Sequence, residues 1–334
     1  MTTQPNNRYS MEELLSALRV ADSVWLFSHT SPDGDTVGSA LALRLTLTKL
    51  GKRVTLVLDG RVPHNLRLLP GAECAREPER VDNAAELERP GTLAVAVDVA
   101  SAERMGKGRA LFLRAARTAQ LDHHETNPGF ADINCIDGDA PAVAVLVERV
   151  RLALGVVLDA EIAACLYAAL STDTGNFVYR NTDAEAFSMM ARLMETGFPL
   201  AELARVLFRE KARPHLALLG EALRTLRFGE IAGMYVSYAQ ACDAGATGEH
   251  ADGVVDYAID AEGVTMAYFA REQENGSVKV SLRALAPARV DEVAARFQGG
   301  GHQLAAGCTL SGPLIEAVAR IRAALIEARG GGDA

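Results

Sequence analysis

The sequence predicts an α/β protein in two parts: an N-terminal doubly wound, mainly parallel sheet, and a smaller C-terminal α/β domain reached through a helical connector. Three observations carry this. Short strand-like runs alternate with helical patterns through the first half, and those runs are apolar on both faces. Near residue 183 the alternation gives way to an amphipathic helical stretch. Strand patterns resume after it. The expected boundaries are 1–190, 191–225 and 226–330, with the ligand site in a cleft between the domains.

The elements follow in order. Ser23–Ser28 is the first apolar run, and a polar loop leads from it to a helical stretch from Val37 to Leu50, closed by Gly51. Val54–Leu58 and Thr92–Val97 are the second and third strands, and Thr118–Leu121 is a weaker fourth. Helical patterns cover Ala140–Leu154 and Ala160–Leu170. The stretch from Asp183 to Leu226 is helical and broken once, at Gly197-Phe198-Pro199. Beyond it, Met234–Tyr238, Thr265–Phe269 and Val278–Leu282 read as strands, the last two joined by the turn Glu274-Asn275-Gly276-Ser277. A final helix spans Leu314–Ala328 before a glycine-rich tail, Gly330–Gly332.

Composition narrows the class. With 49% apolar and 23% charged residues, the 334-residue chain is that of a soluble globular protein. No apolar run approaches the ~20 residues that cross a bilayer. The opening segment MTTQPNNRYS lacks the apolar core of a signal peptide, so a cytoplasmic location without membrane association is expected. The five cysteines are scattered and never spaced C-x-x-C, which argues against a disulfide framework or zinc ribbon and for small apolar fillers. A net charge of -9 opposes a track for long nucleic acid. It leaves room for a short anionic substrate in a local pocket.

Four segments place His or Asp directly after an apolar run: His29-Thr30-Ser31-Pro32-Asp33-Gly34-Asp35, Asp98, Asp122-His123-His124, and Asp173. Each alone is an ordinary turn or strand end. Together they fall at the carboxyl ends of strands, where open α/β sheets form their ligand crevice. The helix after Asp35 aims its N-terminus at the same place, and Gly38 and Ser39 in its first turn are expected to let a phosphate approach. Asp33, Asp35, Asp98 and Asp173 supply four carboxylates beside the neutral imidazoles of His29 and His123. Two divalent ions would neutralise them; without metal they would repel, and one would take up a proton. A nitrogen and oxygen donor set without thiolates favours Mn²⁺, with Mg²⁺, Co²⁺ or Fe²⁺ as substitutes. Such a pair of ions activates water for attack on a phosphoryl group. His64, His215 and His250 lie outside every motif and are expected to be surface or capping residues.

In this order, H-x-x-P-D-x-D with Gly-Ser following, V-D, D-H-H, T-D-T-G-x-F and Gly299-Gly300-Gly301-His302 with Ala305-Ala306-Gly307 resemble the DHH phosphoesterase superfamily and its associated C-terminal domain. The resemblance runs from about Asp22 to Leu325, and the two-domain layout is most similar to the nanoRNase/pAp phosphatase group. It implies that His29, Asp33 and Asp98 hold one Mn²⁺. Asp35, Asp98, His123 and Asp173 would hold a second, with Asp98 bridging. It further implies that Asp122 orients the imidazoles and that His124 faces the scissile phosphate as the catalytic group. Arg283 and the loop Gly299, Gly300, Gly301 and His302 would take substrate phosphate and base. Thr36 stands where alanine is common in the family and should fit. Ala284 stands where serine is frequent, which leaves the phosphate contact open.

The activity so implied is a Mn²⁺-dependent phosphodiesterase of very short oligonucleotides, with 3'-phosphatase activity on pAp. The alternatives are a phosphodiesterase of pApA or cyclic dinucleotides, an inorganic pyrophosphatase, a RecJ-like exonuclease, and a nucleotide-binding sensor without catalysis. Cleavage polarity and oligomeric state stay open, a homodimer among the options.

Overall fold

In the computed structural model, which describes residues 10–330, the first strand β1 (Ser23–Phe27) is buried at every position. Its neighbours show why. Strands β2 (Arg53–Val57), β3 (Thr92–Val97), β4 (Thr118–Asp122) and β5 (Ile133–Ile136) complete a wholly parallel sheet of order β2-β1-β3-β4-β5. Helices α1 (Met11–Val20), α2 (Gly34–Lys49), α3 (Gly108–Phe112) and α4 (Val143–Ala153) pack on it, α5 (Ala160–Asp173) packs on α2 and α4, and α6 (Ala184–Met194) and α7 (Leu200–Ala204) pack on α5. The apolar side chains of β1 divide between two cores. Val24 and Leu26 join the packing of α1, α2, α4 and α5, whereas Trp25 and Phe27 pack with Phe112 of α3. That division is the reason the run is apolar at successive positions.

The chain divides between Glu210 and Lys211 into two compact units. The second contains α8 (Arg213–Thr225), β6 (Ile231–Val236), α9 (Tyr238–Asp243), α10 (Asp256–Ile259), β7 (Met266–Glu272), β8 (Val278–Ala284), α11 (Val290–Ala295), β9 (Gly300–His302), β10 (Ala305–Leu310) and α12 (Leu314–Gly330). Its sheet has the order β6-β7-β8-β10-β9, parallel between β6 and β7 and antiparallel beyond.

Several expectations change. The segment 191–225, expected as a connector, does not stand apart: α8 buries Leu218, Leu219 and Ala222 in the core beneath β6 and β7. The helix expected from Val37 starts at Gly34, with Asp33 as its cap, so Asp35 lies on the helix and not in the loop. Strand β5 and helix α1 were not expected, and β9 and β10 form a hairpin where a glycine loop was foreseen. His215 is buried and its Nδ1 donates to the His250 carbonyl, so it is not a surface residue. The cysteines are all free, with Cys135, Cys165 and Cys308 buried and Cys242 exposed. Among the described residues no helix is long and apolar enough to cross a membrane. Most of the N-terminal segment MTTQPNNRYS, and Gly331 and Gly332 of the tail, lie outside the described residues.

Candidate metal centre

Elements of the first unit deliver each cluster residue at a strand or helix end. His29 and Asp98 follow β1 and β3, Asp122 ends β4 and precedes His123 and His124, and Asp173 ends α5. Asp33 caps α2, its Oδ1 accepting the Thr36 N–H at 3.1 Å. Asp35 is buried. Its carboxylate accepts the Ser39 hydroxyl at 2.8 Å and the N–H groups of Val143 and Ala144 at 2.7 and 3.2 Å. Those two N–H groups belong to the first turn of α4, which has no helical partner for them and a positive dipole end to offer. Asp98 is held at φ +58, a left-handed conformation costly for a residue with a Cβ, and receives the Thr36 hydroxyl at 2.5 Å.

The ring nitrogens have fixed roles. His29 Nδ1 donates to the Thr30 carbonyl at 2.8 Å and His123 Nδ1 to the Ala140 carbonyl at 3.1 Å. Each Nε2 is thereby turned toward the carboxylates. His29 Nε2 lies 3.6 Å from both Asp33 Oδ2 and Asp98 Oδ2. His123 Nε2 lies 3.7, 3.8 and 4.0 Å from Asp173, Asp98 and Asp35. Donors ~2.1 Å from a common ion stand roughly 3–4 Å apart, and this spacing agrees. Three overlapping groups keep their ligand atoms within 4.8 Å: His29, Asp33, Asp98; Asp35, His123, Asp173; and Asp98, His123, His124. Asp98 appears in two of them.

Asp122 does less than expected. Its Oδ1 takes the His124 Nδ1–H at 2.9 Å and its Oδ2 the Asn127 amide at 2.5 Å, so it orients His124 alone. Backbone carbonyls orient the other two rings. Gly38 and Ser39 also differ from expectation: both are buried, Gly38 against α5 and Ser39 on Asp35, so neither receives a phosphate. Sequence reasoning passed over Asn127 and Asn181. Asn127 stands three residues after His124, a local signal. Asn181, whose amide approaches Asp173 Oδ2 at 3.4 Å and donates to the Pro141 carbonyl at 2.9 Å, gave none.

Crowding of charge sets the proton balance of the metal-free cluster. Burial, then the charges of Asp98 and Asp173, hold the Asp35 carboxyl well above the usual range. Burial also lifts Asp173, and despite the opposing charge of His123 it reaches about 6. For His29, burial opposes the charged ring, but hydrogen bonds to Asp33 and Asp98 outweigh it and raise the pKa to about 10. His123 reaches about 9 in the same way, against burial and through Asp35, Asp173 and Asp98. Burial likewise opposes the charge on Asp98, yet His29, His123 and Thr36 together hold its carboxyl below the ordinary value. Protons therefore stand in for cations.

The expected substrate residues belong to the second unit. Arg283 on β8 pairs with Asp256 at 2.9 Å and donates to the Leu282 carbonyl. Gly299–Gly301 is not a loose loop. A Cβ at Gly299 would lie 2.2 Å from the Gly307 carbonyl oxygen, and one at Gly301 2.5 Å from that of Ala305. Close approach of the β9–β10 hairpin demands glycine there without any anion. His302 ends β9 and is exposed.

Residues 23–170 match the N-terminal domain of the DHH family, and residues 233–329 match the DHHA1 domain. Over 329 residues the chain is 35% identical to the bifunctional oligoribonuclease and PAP phosphatase NrnA of Thermus thermophilus, spanning 97% of this chain and 96% of that protein. The chain belongs to the DHH family. As a DHH-family member with such a relative it is a phosphoesterase, with phosphodiesterase function. The DHH fold recurs in an exopolyphosphatase-related protein from Bacteroides fragilis, at TM-score 0.89, 24% identity and 96% coverage of both chains. It recurs more loosely in RecJ of Thermus thermophilus in complex with Mn²⁺, at TM-score 0.52 and 16% identity, covering 100% of this chain and 56% of that one.

Proposed function

We propose that this DHH-family enzyme is a Mn²⁺-dependent phosphodiesterase of very short oligonucleotides that also removes the 3'-phosphate of pAp. One observation carries the reading: the mixed nitrogen and oxygen donor cluster centred on Asp98. The full-length likeness to a relative named for both activities supports the choice of substrates. The donors suit divalent ions of intermediate hardness, since no thiolate is present and carboxylates outnumber imidazoles. His29, Asp33 and Asp98 would hold one ion, and Asp35, His123, Asp173 and Asp98 the other. Bound there, two ions would neutralise the carboxylates and lower the pKa of the water that attacks phosphorus.

The protein's own groups do the rest. The Thr36 hydroxyl and the strained backbone fix Asp98 between the two donor groups. Asp122 holds His124 Nδ1, which leaves Nε2 free to face the phosphate. Burial opposes the charge on His124, but the Asp122 hydrogen bond raises its pKa above the ordinary value, which favours a proton on the ring. That proton passes to the leaving oxygen as its bond to phosphorus breaks. In the second unit, Arg283 and the hairpin at Gly299, Gly300, Gly301 and His302 would contact substrate phosphate and base.

A second reading, hydrolysis of pApA, uses the same groups. A panel with Mn²⁺ separates the two: a dinucleotide, a five-mer, a long single strand, pAp, pApA, a cyclic dinucleotide and pyrophosphate, compared by kcat/KM. The highest values are expected for the dinucleotide, the five-mer and pAp. A preference for pyrophosphate or long strands would overturn the proposal.

A further inference from the structure

A cavity of about 720 Å³ opens in the first unit at the carboxyl end of β2, lined by Arg61, Arg67, Arg76 and Arg80. Its volume is in the range of small-ligand sites. The chain as a whole is acidic, with a net charge of -9, yet here four arginines face two glutamates, Glu73 and Glu77. None of the four makes an ion pair among the described residues, although many other arginines of the chain do. Carbonyl groups position two of them. Arg67 Nε donates to Val62, and Arg76 Nη1 to Glu73 and Ala75, each at 3.1 Å. The Arg76 backbone is fixed as well, since it bridges Val57 as a parallel extension of the sheet. A second cavity, of about 320 Å³, shares Arg76 and Arg80 and adds Arg44.

The first cavity abuts the metal loop. Gly60 lines it, and a Cβ at Gly60 would lie 3.6 Å from the Pro32 ring, one residue before Asp33. Four guanidinium groups with no ion pair among the described residues, two of them held by backbone carbonyls, form a receptor for phosphate oxygens. We infer that this cavity is an anion subsite for the phosphates of an oligonucleotide beyond the scissile bond, so that the catalytic unit itself reads substrate length. The inference rests on the oligonucleotide reading above and adds a site to it. A single-nucleotide bisphosphate would leave the subsite empty. A five-mer would fill it.

The test is the double variant Arg61→Gln with Arg80→Gln. Both residues are exposed and their side chains make no hydrogen bond or ion pair among the described residues, so folding should be retained, and circular dichroism checks this. With Mn²⁺, KM for a five-mer should rise about tenfold at similar kcat, while kcat/KM for pAp stays within about twofold. Fluorescence anisotropy on the chelator-treated full chain reads the subsite without turnover. Five-mer affinity should fall, and its salt slope should shrink by about 1.4, the value for two lost single-strand phosphate contacts. Unchanged five-mer affinity would overturn the inference, as would an equal loss for pAp. So would weakened binding of tripolyphosphate with five-mer binding intact, which would assign the cavity to free polyphosphate. Should the parent enzyme cleave no oligonucleotide, the functional reading fails, and the binding arm still decides the subsite.

Discussion

His123 and His124 are neighbours in sequence and differ in what holds them. His123 Nδ1 is fixed by the Ala140 carbonyl and its Nε2 faces three carboxylates, whereas His124 Nδ1 is taken by Asp122. His124→Ala should lower kcat by about 10²–10⁴-fold, the range for a general acid, and leave bound Mn²⁺ near that of the parent. His123→Ala should lose metal. Elemental analysis alongside kinetics checks both, and equal metal loss in the two variants would reject the division. The raised pKa values of His29 and His123 give a second prediction, for the metal-free protein. Folded values of about 10 and 9 exceed the ordinary 6.5, so the stability these rings contribute is complete below pH 6.5 and is lost as pH rises through 9 to 10. Raised Asp35 acts in the same direction, as does Asp173 through about 6, while the depressed Asp98 acts oppositely in acid. Chelator-treated protein should therefore melt at lower temperature as pH rises from 6.5 to 10. Mn²⁺ should restore Tm most at the alkaline end and release protons on binding. A Tm that is flat or rising over this range without metal would contradict the charge balance.

The contact of α2 with α5 sets the spacing of Asp35 and Asp173. Gly38 makes it possible: a Cβ there would lie 2.5 Å from the Cys165 carbonyl oxygen and 2.8 Å from the Ala169 nitrogen, both backbone atoms unable to give way cheaply. Gly38→Ala should cost about 1–3 kcal/mol of stability and weaken metal affinity, by forcing the helices apart. Thermal unfolding with and without Mn²⁺ checks this, and an unchanged Tm would place the tolerance elsewhere. The same element shows what the sequence could and could not reveal. His29, Asp98 and His123 were legible because they follow strand ends, which a parallel sheet gathers along one edge, and Asp33 because it opens the helix that follows the first of them. The role of Gly38 was misread, because a glycine near a helix N-terminus looks alike whether a phosphate or a second helix lies over it. Strand β5 was missed because Ile133-Asn134-Cys135-Ile136 is too short to show a period. The β9–β10 hairpin was missed for another reason: glycine has no side chain to alternate, and the demand for it comes from Gly307 and Ala305 across the ladder.

Each unit carries its own core, so a substitution in the second should leave the metal cluster intact, and the proposed role of that unit in substrate binding can be tested separately. Arg283 is the residue at which to ask. Its guanidinium is already paired with Asp256, whose carboxyl is pushed up by burial in spite of the arginine. A phosphate arriving at Arg283 must compete with that carboxylate. Arg283→Ala should raise KM for dinucleotides and pAp with kcat little changed. The expected loss is about 1.5–3 kcal/mol, the range for a hydrogen bond to a charged group, or roughly tenfold to a hundredfold in kcat/KM. Asp256→Asn keeps the shape and removes the competing charge, so it should lower KM for the same substrates. If the pair is only a structural clamp, both variants lose thermal stability and neither moves KM. Opposite shifts in KM from the two substitutions, at equal metal content, are the outcome that a clamp cannot produce.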